Sequence, residues 1–359
     1  MIKGLRISLS KDFSRWEDFL LKDDGGNIFQ STVMIPAYSR ELKFKPYLVV
    51  AKLNNEIVGG MLTYRRVHPK IPIPLINELY TPYGPIVSKE VEESIKNKIL
   101  EKLLRTTKGL VNLGTIKHTF FVRSDFIYDQ IDTTIQHSDN KDIFEKVNYE
   151  RVPNGYAQTF IVDLEQDPEF LLKNFEKKTR WSLKKAKKLN VKAIIDNTGE
   201  GLEKFYKLYV DTAKRHGSIV TPFNFLNKLH EILSTKNMMD VYLAYFDDIP
   251  ITAAIILNYK NTAYYYMSAS MKKYGYTQAN TFLQFFVMTN ARERGIKKYD
   301  LLCTPSSDDR DNPQYGLYLF KRSFGGRSVS VFHHEKIFNK WLNVSADKLL
   351  HIYERLPRK

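Results

Sequence analysis

The sequence predicts a mixed α/β protein built from two similar domains, and three observations support this fold class. The chain has 359 residues, more than one hydrophobic core usually serves. A strand, an Asn-Asn turn and a second strand are indicated at residues 47–62, and the same plan returns at residues 241–256. A helical pattern precedes each hairpin. We therefore expect one domain at residues 1–155 and a second at residues 156–326, each with a mostly antiparallel sheet flanked by helices.

The helical patterns consist of apolar residues that recur every three or four positions. They comprise Phe13, Trp16, Phe19 and Leu20 in the first half, and Leu202, Phe205, Leu208, Tyr209 and Thr212 in the second. Residues 90–105 predict a further helix, residues 109–122 a strand, and residues 258–269 a third strand after the second hairpin. No long heptad run predicts a coiled-coil arm.

Five prolines, at positions 69, 72, 74, 82 and 85, crowd the segment from Arg65 to Val87. Proline lacks an N–H donor and suits neither a helix interior nor a central strand. We therefore expect an extended segment that ends in Tyr83-Gly84-Pro85. It serves either as a plain connector or as a substrate-facing loop in which Tyr83 contacts substrate.

The charge balance favours anionic partners. The chain has 55 Lys and Arg against 40 Asp and Glu, a net charge of +15, which attracts phosphate-bearing partners such as RNA, nucleotides or anionic lipid. A merely solvated lysine-rich surface is the alternative. The one cysteine, Cys303, excludes an internal disulfide and a thiolate metal cluster. With neither a signal peptide nor a run of about 18 apolar residues, we expect a cytoplasmic protein, with peripheral contact to an anionic membrane as an option.

The most basic segment is a predicted helix from Pro168 to Asn190. Its core-facing stripe consists of Leu172, Phe175, Thr179, Ala186 and Leu189, and much of the remaining surface is Lys or Arg, including Arg180 and Lys184. Like charges three and four positions apart oppose helix formation. We therefore expect an anionic ligand to relieve the repulsion, with Arg180 and Lys184 as binding residues, although a solvated face would also account for the pattern.

A second candidate site is the segment from Lys272 to Asn280, which leads from the third strand into an apolar helix at residues 282–291. Exposed N–H groups at a helix start, with a glycine that permits close approach, can hold a phosphate. Lys272, Gly275 and Thr277 form a Lys-x-x-Gly-x-Thr spacing suited to a cofactor phosphate. An ordinary strand-to-helix turn is the alternative.

Lys321 is the sharpest candidate for a catalytic residue. A helix that ends at Gly325 and Gly326 places Leu317, Phe320, Lys321 and Phe324 on one face, at positions i, i+3, i+4 and i+7. A lysine thus occupies a core position, where an unpaired ammonium is costly. It should meet a carboxylate, for which Asp300 is the nearest candidate, or a substrate group, or else extend to the surface.

Several of these segments, in chain order, resemble the Fem-type family. They are Phe29-Gln30-Ser31, Tyr83-Gly84-Pro85, the basic helix at residues 175–186, the segment at residues 208–217, Tyr299-Asp300, and Phe320-Lys321-Arg322-Ser323-Phe324-Gly325-Gly326. Members of that family add amino acids to peptidoglycan precursors from aminoacyl-tRNA and consist of two GNAT-like domains. The resemblance spans most of the chain, and its C-terminal element is the most specific part.

The resemblance implies roles for individual residues. Lys321 would lie at the reacting centre with Phe320 beside it, and Arg215 would contact an acceptor phosphate. The tyrosines at positions 264 to 266, with Tyr265 as a substrate-binding residue, and Asp300 are candidates for the general base, because strand ends that border a GNAT cleft usually face substrate. The segment at about residues 327–359 would pack back on the first domain.

The predicted function is therefore transfer of an aminoacyl group from aminoacyl-tRNA to an amine of a UDP- or lipid-linked precursor. No tightly bound cofactor, metal ion or protein partner is inferred. Two alternatives stay open. One is an acyl-CoA-dependent N-acyltransferase that uses the loop around Gly275, and the other is a non-catalytic protein that binds RNA or a membrane surface.

Overall fold

The computed structural model describes residue 2 and residues 4–67, 76–123, 143–152 and 157–344. The chain divides into two compact units, the first formed by Met1–Gly155 with Ser330–Lys359 and the second by Tyr156–Val329. Each unit contains its own sheet and its own hydrophobic core. The mixed α/β prediction is confirmed.

The strands in chain order are β1 (Leu5–Ser10), β2 (Lys45–Leu53), β3 (Glu56–Val67), β4 (Asn77–Thr81), β5 (Ile86–Val87), β6 (Thr115–Arg123), β7 (Glu150–Arg151), β8 (Gln158–Asp163), β9 (Lys192–Ile195), β10 (Met239–Phe246), β11 (Ile249–Tyr259), β12 (Thr262–Ser270), β13 (Lys298–Asp300) and β14 (Arg327–Ile337). The α-helices are α1 (Phe13–Lys22), α2 (Ile35–Glu41), α3 (Glu93–Thr106), α4 (Ile143–Lys146), α5 (Pro168–Asn174), α6 (Lys177–Lys188), α7 (Gly199–Arg215), α8 (Phe223–Leu233), α9 (Ala279–Glu293) and α10 (Tyr315–Arg322). Short 3₁₀ turns lie at Ile28–Gln30, Thr32–Met34, Thr107–Leu110, Ser234–Lys236 and Lys272–Thr277.

Both predicted hairpins are present, and their turns explain why they form. The turn between β2 and β3 has Asn54 and Asn55 at φ values of 50° and 73°, and the turn between β10 and β11 has Asp247 and Asp248 at 49° and 59°. Two positive φ values match the twist of a two-residue hairpin, and Asn and Asp tolerate them better than other side chains. The same turn chemistry therefore serves both units.

In the first unit the strand order is β1-β2-β3-β4-β6, continued by the part of β14 from Val331. All neighbours are antiparallel except β4 and β6. The expectation that residues 65–87 contain no central strand was wrong, because β4 lies between β3 and β6. Pro82 follows β4 and does not interrupt it, while Pro69, Pro72 and Pro74 lie outside the described residues.

The second unit has the strand order β8-β13-β12-β11-β10-β9. Its one parallel pair is β12 with β13, and the other neighbours are antiparallel. Helix α7 buries Leu202, Phe205 and Leu208, as the spacing predicts. Helix α9 buries Leu283 and Val287 in the core of this unit. The sheet therefore carries helices that are held by apolar contacts.

The single helix predicted from Pro168 to Asn190 was wrong, because the structure has two. Helix α5 ends before Phe175, whose ψ of 143° is extended, and α6 begins at Lys177. At the break, the N–H of Glu176 donates to the carbonyl of Ser323 at 2.9 Å. Phe175 is buried and meets the ring of Phe324 edge-on, with 5.2 Å between ring centres. The tertiary contacts of Phe175 and Glu176 thus interrupt the helix at this point.

Candidate active site

The candidate site forms where the two parallel strands of the second unit separate. Their last paired residues are Tyr264 and Asp300, after which β13 ends while β12 continues to Ser270. Ligands commonly bind beyond the carboxyl ends of parallel strands at such a change of direction. The register of β12 against β11 also shifts beside Tyr266. A bulge of this kind re-aims side chains and is frequent near active sites.

Lys321 enters this region from α10. It is 5% exposed, and its Nζ donates to the carbonyl oxygens of Leu302 at 3.2 Å and Cys303 at 3.1 Å. The same nitrogen lies over the ring of Tyr265, 5.6 Å from the ring centre. The predicted burial of this lysine is therefore present. Because an ammonium has three donors, these two bonds leave one more for a substrate oxygen.

Burial lowers the pKa of Lys321 from 10.5 to about 8, although the Cys303 and Asp300 side chains oppose this shift electrostatically. The cause is the loss of water around the charged form, which the carbonyl dipoles replace only in part. Burial also raises the pKa of Tyr265 to about 12. At neutral pH the site thus presents an ammonium beside a neutral phenol.

Asp300 lies in the same group of residues. It is 0% exposed, and its Oδ1 accepts hydrogen bonds from the Thr159 hydroxyl at 2.5 Å and from the N–H of Leu302 at 2.8 Å. The carboxylate that was expected to receive Lys321 therefore acts on it through space, while main-chain carbonyls accept the hydrogen bonds.

The segment after Lys321 is fixed to the break between α5 and α6. Gly325 has a φ of +73°, and a Cβ added there would lie 2.3 Å from the carbonyl oxygen of Asn174. Arg322 forms a salt bridge with Glu176 at 2.9 Å. The ring of Phe320 is half-buried and packs edge-on against Phe324, with 5.1 Å between ring centres. Phe320 thus supports the core beside Lys321.

Comparisons with known proteins show a matching domain family and similar enzymes. The profile of the Acetyltransferase (GNAT) domain family matches residues 173–315. Lipid II:glycine glycyltransferase of Staphylococcus epidermidis is 22% identical over 374 residues, covering 85% of each protein. These similarities indicate an aminoacyltransferase with the GNAT fold.

Solved structures show the same fold. A crystal structure of FemX superposes with a TM-score of 0.72 at 17% identity, covering 95% of this chain and 99% of FemX. A tandem GNAT protein from the clavulanic acid biosynthesis pathway has a TM-score of 0.53 at 10% identity, covering 93% and 98% of the two chains. The prediction of a GNAT-like fold is confirmed.

Arg215 lies at the end of α7. Its guanidinium donates to the carbonyl of Ser270 at 3.0 Å and to Asp211 at 3.2 Å. Thr212, one turn earlier, exchanges hydrogen bonds with the main chain of Ser270. Since Ser270 ends the strand that carries Tyr265, these bonds fix Arg215 to the same strand at a distance from Lys321 along it.

Arg180 and Lys184 lie on α6, with different surroundings. Arg180 donates to the carbonyls of Lys173 and Phe175, which closes the end of α5. Lys184 is exposed, as are most other lysines of the helix. Trp181 is 57% exposed, and Lys185 lies over its ring at 5.3 Å. Lys184 therefore belongs to an open basic surface, whereas Arg180 is held by main-chain contacts.

The loop proposed for a cofactor phosphate folds as a 3₁₀ turn. Lys272 and Gly275 are exposed, and Thr277 is buried with its hydroxyl donating to the carbonyl of Tyr274 at 2.7 Å. The N–H of Ala279 donates to that hydroxyl at 3.3 Å, and the N–H of Gln278 donates to the carbonyl of Gly275 at 3.2 Å. The N–H groups of Gln278 and Ala279 are thus engaged within the turn.

Tyr83 lies in the first unit. Its ring packs on Phe29 with 4.7 Å between centres, and its carbonyl accepts from the Asn27 amide at 3.1 Å. The buried Gln30 amide donates to the carbonyl of Pro82 and accepts from the N–H of Leu62. The Phe29-Gln30-Ser31 and Tyr83-Gly84-Pro85 segments therefore form one packed element.

The structure brings Lys321, Asp300, Tyr265 and Phe320 together, and it places the other predicted site residues elsewhere on their units. The sequence analysis missed Thr159 and the carbonyls of Leu302 and Cys303. Thr159 is a polar residue in a strand that is buried on both faces, which is a usable signal. Carbonyl positions leave no trace in side-chain patterns.

Within the described ranges, no helix is long and apolar enough to cross a membrane.

Proposed function

We propose that this protein transfers an aminoacyl group from aminoacyl-tRNA to an amine of a lipid-linked peptidoglycan precursor. The observation that carries the proposal is the buried ammonium of Lys321 at the divergence of the two parallel strands. The named activity of the staphylococcal relatives, glycyl transfer to lipid II, supplies the substrate class.

In the proposed reaction the acceptor amine attacks the ester carbonyl carbon of the donor. A C–N bond forms, the ester C–O bond breaks, and the ribose oxygen of the tRNA leaves and takes a proton, while the attacking amine loses one to solvent. Negative charge develops on the carbonyl oxygen and then on the leaving oxygen. The Lys321 ammonium stabilises that charge, and pre-oriented donors of this kind commonly contribute a few kcal/mol.

The surroundings of Lys321 favour this role over a structural one. Carbonyls of Leu302 and Cys303 fix the nitrogen in place before substrate binds, so little reorganisation is needed during the reaction. Tyr265 excludes water from one side of the ammonium. In a site with little water, a charge interacts with a developing oxyanion more strongly than it would in bulk solvent.

The donor tRNA is proposed to lie along α6. Lys177, Lys178 and Lys184 are exposed on this helix and can neutralise phosphates, and the exposed ring of Trp181 can stack on an unpaired base. Such binding must weaken steeply as salt rises.

The acceptor phosphate is proposed to contact Arg215. One face of its guanidinium is held by Asp211 and Ser270, which orients the remaining donors. A lipid-linked acceptor would bring the protein to an anionic membrane surface, where a net charge of +15 favours peripheral contact.

The second candidate is an acyl-CoA-dependent N-acyltransferase, which the acetyltransferase description of the matching profile favours. It requires a pyrophosphate site near Gly275. An added Cβ at Gly275 meets nothing within 4 Å, so no contact within the chain requires a glycine there.

The deciding experiment follows radiolabelled amino acid from charged tRNA to lipid-linked and UDP-linked precursors, beside an acetyl-CoA assay. Label that moves from tRNA to the lipid-linked precursor, and does so only with Lys321 present, supports the proposal. Transfer to the UDP-linked precursor alone would change the acceptor, and activity with acetyl-CoA alone would contradict the tRNA donor.

A further inference from the structure

The turn that follows β13 is organised around Asp300. Its fully buried carboxylate accepts the N–H of Leu302, two residues later, at 2.8 Å, and the Thr159 hydroxyl of β8 at 2.5 Å. A carboxylate that bonds the N–H two positions ahead stabilises a local turn. Thr159 in turn fixes the carboxylate to a neighbouring strand.

This turn holds an unusual backbone conformation. Leu302 has a φ of +55°, a left-handed region that side chains other than glycine, Asn and Asp rarely adopt because of Cβ crowding. Such a conformation persists only where surrounding contacts impose it, and it is most common at functional sites. The hydrogen bond from Leu302 to Asp300 is a contact of this type.

The consequence of the turn is the placement of two carbonyl groups. Those of Leu302 and Cys303 accept hydrogen bonds from the Lys321 ammonium at 3.2 and 3.1 Å. Without the left-handed residue, the two carbonyls would not keep this common direction. Two hydrogen bonds therefore link Asp300 to Lys321 through Leu302: the Leu302 N–H donates to the Asp300 carboxylate, and the Lys321 ammonium donates to the Leu302 carbonyl.

We infer that Asp300 is a positioning residue, which through the Leu302 turn fixes the carbonyls that hold the Lys321 ammonium, and that it takes no proton from the acceptor amine. The inference rests on the proposed role of Lys321. A general base must reach the substrate, whereas Asp300 is 0% exposed and its Oδ1 already accepts two hydrogen bonds.

The decisive variant is Asp300→Asn. Its amide oxygen can still accept from both the N–H of Leu302 and the Thr159 hydroxyl, as Oδ1 of Asp300 does, so the turn is kept while the charge is lost. The described titratable groups that act on Lys321 are Tyr265, Cys303 and Asp300. Because Asp300 favours the charged ammonium, its loss lowers the pKa of Lys321 further.

Two measurements distinguish a positioning role of Asp300 from the alternative that Asp300 is the general base. At a pH where Lys321 stays charged, Asp300→Asn should transfer within about five-fold of the wild-type rate, with the alkaline limb of the pH–rate profile moved to lower pH. A loss of more than about a hundred-fold at every pH would make Asp300 the base and overturn the inference.

A rescue experiment tests the turn itself. Asp300→Ala removes the hydrogen bond to Leu302 and should lower the transfer rate at least ten-fold. Adding Leu302→Gly should recover part of that loss, since glycine adopts a positive φ without side-chain crowding. If the second change recovers nothing, Asp300 does not act through the turn. Circular dichroism and thermal melting establish that each variant is folded.

The inference can also be tested without any activity. NMR of ¹³C-labelled lysine, with Lys321→Met used for assignment, follows the titration of Lys321 in wild type, Asp300→Asn and Asp300→Ala. Both variants lose the charge, but only Asp300→Ala loses the hydrogen bond that holds the Leu302 turn and its carbonyls. A lower midpoint in Asp300→Ala than in Asp300→Asn is expected, and equal midpoints would overturn the inference. Failure of the wild-type protein to transfer label from tRNA would instead count against the proposed function and leave this measurement valid.

Discussion

The ammonium of Lys321 and the ring of Tyr265 lie 5.6 Å apart, with the charge over the face of the aromatic ring. The quadrupole of a phenol ring attracts a cation, but this attraction and two carbonyl dipoles replace hydration only in part. The result is a lysine that is held in place yet has a pKa of about 8. Both properties suit a residue that stabilises transient negative charge near neutral pH.

Replacement of Lys321 by Met should abolish transfer and leave the fold intact. We expect a rate at least about a hundred-fold lower, the usual effect of removing one charge-stabilising donor. Stability at pH 7 should be equal or higher, because an apolar side chain avoids the cost of burying a charge. Initial transfer rates and thermal melting measure the two effects.

Lys336 provides the matched control. It too donates to a main-chain carbonyl, that of Val147, and lies over a tyrosine ring, that of Tyr149 at 5.2 Å. Burial lowers the pKa of Lys336 as well. Lys336→Met should keep its transfer rate. An equal loss of activity in both variants would show that the effect of Lys321→Met is not specific to the site.

The pH dependence of activity and of stability should run in opposite directions. Above pH 8 the Lys321 ammonium loses its proton, so transfer should fall about ten-fold per pH unit once the midpoint is passed. In the unfolded chain this lysine keeps its proton up to about 10.5, so between these values the unfolded state binds more protons. Stability contributed by this group therefore rises with pH, by about 3 kcal/mol in total.

Urea unfolding of wild type and Lys321→Met at several pH values between 7 and 10.5 isolates that contribution, since other groups cancel in the difference. The wild type should gain stability relative to the variant across this range. A constant difference would mean that the pKa of Lys321 is the same in the folded and unfolded states.

Features with a local cause could be predicted from the sequence. Both hairpins follow from Asn-Asn and Asp-Asp turns between apolar runs, and the burial of Lys321 follows from its place in the stripe that ends at Phe324. These signals depend on residues within one or two helical turns of each other. The site lysine was thus accessible to sequence reasoning.

Features that depend on contacts between residues far apart in the sequence could not be predicted from it. The helix break at Phe175 depends on the pairing of Glu176 with Ser323, and the carbonyls that receive Lys321 depend on a turn closed by Asp300. Strand β4 was not predicted because Pro74 and Pro82, which suggested an irregular segment, lie on either side of the strand and not within it. In each case a tertiary contact or an exact boundary decides the outcome, and neither appears in residue periodicity.

The basic surface of α6 should control donor binding. Replacing Lys177, Lys178 and Lys184 together by Ala should weaken tRNA binding and reduce the slope of log affinity against log salt by about two to three, one counterion per phosphate contact. The fold should tolerate the change, since alanine favours helices. Filter binding at several salt concentrations measures the slope.

The control for that experiment replaces Lys89, Lys98 and Lys102, which are exposed residues of the first unit. These changes lower the net charge equally. If both triple variants bind tRNA with the same reduced slope, the effect comes from net charge and α6 is not the binding surface.

Two glycine substitutions should have contrasting effects. Gly325→Ala forces a side chain into a left-handed position, 2.3 Å from the carbonyl oxygen of Asn174, so stability should fall by more than about 1 kcal/mol. Transfer should fall with it, because the segment after Lys321 would move. Gly275→Ala places its Cβ in open space and should leave both stability and transfer from tRNA unchanged.

The contrast also separates the two donors. If acyl-CoA were the substrate, Gly275→Ala would weaken its binding, since the pyrophosphate would approach that backbone closely. If aminoacyl-tRNA is the donor, only Gly325→Ala should reduce transfer. The main chain at Gly325 packs against the end of α5 and so fixes the segment from Lys321 to Phe324. Calorimetric titration with CoA beside the tRNA transfer assay therefore tests both glycines, and a loss of tRNA transfer in Gly275→Ala would contradict the assignment of the site to Lys321 and its turn.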